Sequence, residues 1–168
     1  MDIERLKTLL RLAPLPVEGG YFVQTYKSAE TIPRHALPDR YTGGRSFGSG
    51  IYYLLTPEAC SALHRLKSDE IYHFYLGDPV ELLQLDADGA GRIVTLGPDL
   101  FGGMQLQTVV PRGVWQGARL RSGGLYALLG TTMAPAYEQD DFEIGRREDL
   151  LSRYPRFRDH ILALTPRT

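Results

Sequence analysis

The sequence is short of cysteine, of charge imbalance and of long apolar runs. A single cysteine, Cys60, among 168 residues excludes an internal disulfide framework and a cysteine-rich zinc module. With no neighbouring group in sequence to activate it, Cys60 is expected to be a buried, inert thiol. Lysine and arginine number 19 against 20 aspartates and glutamates, a formal charge of −1. A chain without a basic excess is not built to neutralise nucleic-acid phosphates. No apolar stretch approaches the roughly 18 residues of a membrane-spanning helix. The opening segment, MDIERLKTLLRLAP, is too charged for a secretory signal. A cytoplasmic protein is therefore expected, with neither membrane nor nucleic acid as partner. There is no G-x-S-x-G elbow. The glycine pair of Glu18-Gly19-Gly20 leads into a strand, whereas a phosphate-cradling loop opens a helix.

What the chain does have is turn residues and aromatics: 18 glycines, 11 prolines, 10 tyrosines and 6 phenylalanines. A hydrophobic fraction of 43% with 23% charged residues suits a globular fold. The length fits one domain, 1–168, able to bury about 70% of its unfolded surface. Runs at about 47–55, 60–66, 70–76, 79–86, 91–96, 105–110, 114–120 and 124–134 read as short strands at the spacing of a sandwich or barrel. Asp86-Ala87-Asp88-Gly89 and Ser122-Gly123-Gly124 read as turns between them. The core is expected over about 18–145. A helix over about 2–12, capped by Asp2 and ended by Pro14 and Pro16, precedes it. Two helical turns broken near Pro155 follow it, over about 146–163. Residues 28–46, with Pro33, Pro38, Gly43 and Gly44, read as a long surface loop, and Arg45 as part of its solvated tip.

Side-chain alternation orients the strands. Tyr72 and Phe74 share a face with Glu70, while His73 takes the opposite face. Val114 and Gln116 share a face, so Trp115 points away. A buried carboxylate such as Glu70 needs a partner, and His64 is a candidate. A buried Gln116 amide likewise needs partners from the protein or a ligand. His73 is expected to be hydrogen-bonded in packing, unless a bulge turns it toward Glu70. The strands 51–55 and 70–76 are apolar on both faces, which predicts a homodimer whose partner covers the second face.

Two segments resemble a known pattern. His64, Glu70 and Gly77 fall at the spacing of the first cupin motif, and Pro111 and Gly113 at that of the second. The stretches PVEGGYFVQTY, GGRSFGSGIYYLLT, SALHRLKSDEIYHFYLGDPVELLQLD, LGPDL and VVPRGVWQGARL resemble the cupin subfamily long catalogued as a domain of unknown function. The resemblance covers roughly residues 3–145. It implies an all-β fold, the cupin double-stranded β-helix or jelly roll, with short N- and C-terminal helices.

Metal-binding cupins resemble one another in a three-histidine, one-glutamate site. Here Leu66 stands at the second histidine position and Gln116 at the last. The resemblance therefore implies no tightly bound metal and no cofactor. A weakly held divalent ion, if any, would sit on His64, Glu70 and Gln116. Three functions remain open. The first is a metal-independent enzyme resembling sugar epimerases and isomerases and acting on a small polar metabolite. In it His64 would be the base, Glu70 its orienting or tuning partner and a pocket tyrosine the acid. The second is a non-catalytic module binding a small ligand, and the third a weak-metal cupin enzyme. The expected catalytic residues are His64 and Glu70. The expected ligand-binding residues are Gln116, Tyr72, Phe74 and Tyr21.

Overall fold

A computed structural model describes residues 2–165. The chain opens with a helix, α1 (Ile3–Leu10), whose first turn is capped by Asp2: its Oδ1 accepts the N–H groups of Glu4 and Arg5 at 3.1 and 3.2 Å. Among the described residues thirteen strands follow, interrupted by short 3-10 turns. They are β1 (Ala13–Pro14), β2 (Tyr21–Lys27), β3 (Thr31–Ile32), β4 (Arg45–Ser46), β5 (Ser49–Leu55), β6 (Ser61–Leu66) and β7 (Glu70–Gly77). Then come β8 (Val80–Leu85), β9 (Gly91–Leu96), β10 (Gln107–Val110), β11 (Trp115–Leu120), β12 (Ala127–Met133) and β13 (Phe142–Ile144). Two helices, α2 (Arg147–Arg153) and α3 (Arg158–Ala163), end the described chain, with Pro155 between them.

The strands form two antiparallel sheets in the orders β1-β2-β5-β12-β7-β10 and β13-β6-β11-β8-β9, with β3 and β4 as a separate pair. Period-two alternation sends Tyr53, Tyr72, Phe74 and Leu129 of the first sheet toward Val80, Leu82 and Ala118 of the second, where they form the inner core. The fold is the double-stranded β-helix, with short helices at both ends.

The helices account for much of the apolar outer surface. Leu6 of α1 packs on Leu54 and Leu128, behind the first sheet. Leu150, Tyr154 and Ile161 cover Leu63, Leu83 and Leu85, behind the second. Of the two strands that read as apolar on both faces, β5 has Leu54 covered by α1 on its outer side, while the outer side of β7 carries the exposed Tyr75. A patch of the first sheet around Tyr52, Tyr75 and Val109 is exposed, and no described helix covers it. No described helix is long and apolar enough to cross a membrane.

Two expectations change. Helix α1 lies within the expected span, but the prolines do not end it. It stops at Arg11, which takes the left-handed conformation at φ 57° and ψ 39° and returns its N–H to Lys7 and Thr8. Pro14 instead joins β1 opposite Tyr21. Residues 28–46 are not a surface loop either. They contain the β3–β4 pair and bury Leu37, Tyr41 and Arg45. Arg45 reaches Asp141 with Nε at 2.8 Å and a second guanidinium nitrogen at 2.6 Å, and donates to the carbonyls of Gly43 and Gly44. A pattern of prolines and glycines signals turns, but it does not report a buried ion pair made to a residue 96 positions away.

Candidate functional site

The site is assembled by register. His64 on β6 lies directly opposite Gln116 on β11, so the two side chains stand side by side on the inner face. Glu70 opens β7 in the facing sheet, paired with Val110 and Met133. The three converge. Gln116 Nε2 donates to Glu70 Oε2 at 2.8 Å, and His64 Nε2 lies 4.0 Å from the same oxygen. All three are buried, His64 and Gln116 to 1% exposure and Glu70 to 7%.

The imidazole is held from two sides. Its Nδ1 sits 2.8 Å from the carbonyl of Ala62. A carbonyl only accepts, so Nδ1 donates to it, and Nε2 is the ring nitrogen turned toward Glu70. Phe142 of β13 stacks on the ring at 5.1 Å and 23°. Ala62 and Phe142, rather than Glu70, thus orient His64. Strand β13 has only three residues, too short a run to carry a period that sequence reading detects.

Beside the pair lies a cavity of about 80 Å³. Glu18, Tyr53, His64, Glu70, Thr131 and Tyr137 supply its polar surface, and Phe22, Ile51, Leu66 and Met133 its apolar surface. Glu18 is the residue that sequence reasoning missed. The backbone around it is unusual: Val17 has φ 68° and Gly19 φ 97°. A Cβ at Gly19 would run into the carbonyl of Cys60, so only glycine fits that turn. The Gly19 carbonyl accepts the Tyr53 hydroxyl at 2.8 Å, and Ser61 Oγ donates to Glu18 Oε1 at 2.7 Å. The Glu-Gly-Gly signal marks the turn, but nothing local shows that the turn carries a carboxylate into the barrel.

Burial raises the Glu70 carboxyl, with the Glu18 charge adding to it. The positive potential of His64 and the bonds from Thr131 and Gln116 offset this only in part, and the value reaches about 7. Burial also holds the Tyr53 hydroxyl well above its ordinary range. Tyr137 is pushed up to about 12, by burial first and then by Glu18 and Glu70. Both phenols donate elsewhere, Tyr53 to Gly19 and Tyr137 to Gln139 at 2.9 Å. Glu70, not a tyrosine, is the readily titrated acid of this cavity.

Other expected residues sit apart from it. Tyr72 and Phe74 do share the inner face with Glu70, but they belong to the packed core and do not line the cavity. Tyr21 does not line it. It packs under α1 with the Lys7 ammonium 3.7 Å from its ring centre, and its neighbours Phe22 and Gln24 take its place. Trp115 points away, toward α2 and α3. His73 faces outward, where its Nδ1 accepts from Gln107 at 3.1 Å and its Nε2 donates to Thr132 at 3.0 Å.

The inner residues do not suit a transition metal. Leu66 offers no donor, and Gln116 presents its NH2 group rather than its carbonyl to Glu70. Of the four motif positions only His64 and Glu70 offer donors, fewer than the three good protein donors of a usual catalytic site. No cluster of three or more His, Cys, Asp or Glu placed to hold an ion is found among the described residues.

Two antiparallel sheets closed around an inward histidine and glutamate define a cupin barrel. Residues 4–145 match the family described as "Cupin superfamily (DUF985)", and the chain belongs to it. An uncharacterised protein from Saccharomyces cerevisiae, YML079W, is 26% identical over 142 residues, 80% of this chain and 71% of that one. A hypothetical protein from Leishmania major superimposes with a TM-score of 0.87 at 30% identity, covering 99% of this chain and 100% of that one. Protein SO0799 from Shewanella oneidensis gives a TM-score of 0.86 at 28% identity, with 100% and 99% covered. Oxalate decarboxylase from Bacillus subtilis shares the fold alone, at a TM-score of 0.52 and 14% identity.

Proposed function

We propose that the barrel binds a small polar ligand without negative charge and exchanges a proton with it through His64 and Glu70. The observation that carries this reading is the pair itself: a buried carboxyl, pushed up to about 7 by burial, lies beside an imidazole whose Nδ1 is committed to a backbone carbonyl, at the wall of a cavity. Groups tuned in this way suit general acid and base work at neutral pH. His64 Nε2 would accept a proton from a carbon acid, and Glu70, half protonated near neutrality, would hold or return one. Tyr53 and Tyr137 bound the ligand space.

The lining narrows the ligand. It holds two carboxylates, Glu18 and Glu70, and neither lysine nor arginine. A phosphate or carboxylate placed there would meet like charge with no counter-ion. The volume of about 80 Å³ has room for only a few heavy atoms. Both facts disfavour a nucleotide sugar and favour a short hydroxy-aldehyde or ketose. The reaction class that fits is isomerisation through proton removal beside a carbonyl.

The test uses dihydroxyacetone and glyceraldehyde in D2O, followed by NMR, with glycerate as the anionic control in a thermal-shift assay. Deuterium should enter at the carbon beside the carbonyl, and glycerate should not stabilise the protein. Exchange no faster than with Glu70→Gln, or stabilisation by glycerate, overturns the proposal. Stabilisation by the neutral probes without exchange would leave a binding module.

A homodimer is part of the same proposal. The uncovered patch on the first sheet places Tyr52 edge-on to Tyr75 at 5.9 Å, with His73 stacked on Tyr75 at 6.3 Å. An exposed aromatic patch on a sheet face otherwise backed by helices supports a protein contact there.

A further inference from the structure

We propose that Gln84 and Arg92 are positioning residues that fix the orientation of the Gln116 amide through one bridging water molecule. Across the second sheet, His64, Gln116, Gln84 and Arg92 form one row: each is directly opposite the next on β6, β11, β8 and β9. Residues paired in this way project to the same face with their Cβ atoms about 5 Å apart. Arg92, exposed on the edge strand, clamps the Gln84 carbonyl oxygen with two donors at 3.0 and 2.9 Å. That bond decides which way Gln84 points. Its oxygen is turned toward Arg92, and its NH2 group is left for the other neighbour in the row.

That neighbour is Gln116, whose NH2 is committed to Glu70. Two atoms in this row are buried and meet no protein partner: Gln84 Nε2 and Gln116 Oε1. One is a donor and the other an acceptor, on directly opposed residues that are each 1% exposed. Buried orphans of complementary type on facing side chains are the ordinary partners of an internal water. With the link closed, every donor in the row points the same way, from Arg92 through Gln84 and Gln116 to Glu70. Gln116 then presents only a donor to Glu70 and cannot turn its carbonyl there. This concerns the amide's orientation and holds whether or not the barrel turns over a substrate.

The test reads the Gln116 side-chain NH2 signals of the full ¹⁵N-labelled chain, assigned by their loss in Gln116→Leu. Arg92→Met changes only the exposed edge. Gln84→Glu keeps an acceptor for Arg92 and removes the donor toward Gln116. Both variants should shift the Gln116 signals and speed their exchange with water by roughly fivefold, the effect of one lost hydrogen bond. Signals unchanged in Arg92→Met, or in a folded Gln84→Glu, overturn the proposal. So does a high-resolution crystal structure in which the two amides are each bonded elsewhere. Deuterium incorporation into dihydroxyacetone reports separately on the proton-transfer reading, so either can fail alone.

Discussion

Gln116 Nε2 stands 2.8 Å from Glu70 Oε2, and His64 Nε2 stands 4.0 Å from that same oxygen. One carboxylate oxygen thus faces an obligatory donor on one side and an imidazole nitrogen on the other. The amide bond favours the ionised carboxylate. Burial of the whole set works against a separated charge. Burial accordingly pushes the Glu70 carboxyl up to about 7.

The pH dependence of stability follows. The Glu70 carboxyl is raised from 4.5 to about 7 on folding. The folded state therefore binds more protons than the unfolded state between those values, and this group lowers stability as pH rises through the window. Below about pH 4 and above about pH 8 its contribution is level. Glu70→Gln keeps an acceptor for Gln116 and removes the titration. Urea unfolding at pH 8 should find the variant more stable than the parent, by as much as about 3 kcal/mol. The difference should shrink toward pH 5. A constant difference across the range would show that burial does not set this carboxyl.

The buried ion pair should be the largest single electrostatic support outside the barrel. Arg45 is 3% exposed and gives Asp141 two donors, with Lys67 Nζ 3.8 Å from the same carboxylate. Arg45→Ala leaves Asp141 buried with its main partner gone. That should cost about 3–5 kcal/mol and lower Tm by roughly 10 °C. The joint replacement Arg45→Met with Asp141→Leu should recover part of the loss, because no charge is then stranded. Calorimetry on the three variants checks the order.

How far the sequence carries depends on the kind of signal. The eight strand runs between 47 and 134 lie within a few residues of β5 to β12 because alternation is local and strong. His64, Glu70 and Gln116 come together because fixed spacing on paired strands translates into geometry. Alternation places Tyr72 on the inner face, but it does not separate packed core from cavity lining. Tyr21 was legible as a strand residue and not as one covered by α1. Glu18 and Phe142 reach the site from short segments with no period of their own. The bulge between Gln24 and Tyr26 resets parity in β2, which no count of residues reveals.

The uncovered face of the first sheet bears on assembly. Tyr75 is 45% exposed and lies across Gly130, where no Cβ stands in its way. If a second copy covers this patch, light scattering at micromolar concentration should give twice the chain mass. Tyr75→Asp with Val109→Lys should halve it without changing the circular dichroism spectrum. A parent protein already at single-chain mass would remove the dimer from the account.

Leu66 follows His64 by one period on the inner face of β6 and lines the same cavity as His64 and Glu70. It adds an apolar wall where an imidazole would add a donor. Gln116 stands opposite His64 and spends its NH2 on Glu70. Replacing Leu66→His and Gln116→His together should supply three imidazoles and one carboxylate around a common point. Such a set suits zinc and its neighbours in the first transition row. Titration calorimetry should show zinc affinity at least ~10-fold above the parent, with Gln116→His alone giving the smaller part because Leu66 still fills its position. Elemental analysis of the unmodified protein should find well under one transition-metal ion per chain. Near-stoichiometric zinc, nickel or iron in that sample would mean that His64 and Glu70 recruit donors beyond those described, and the proton-transfer reading would give way to a metal-centred one.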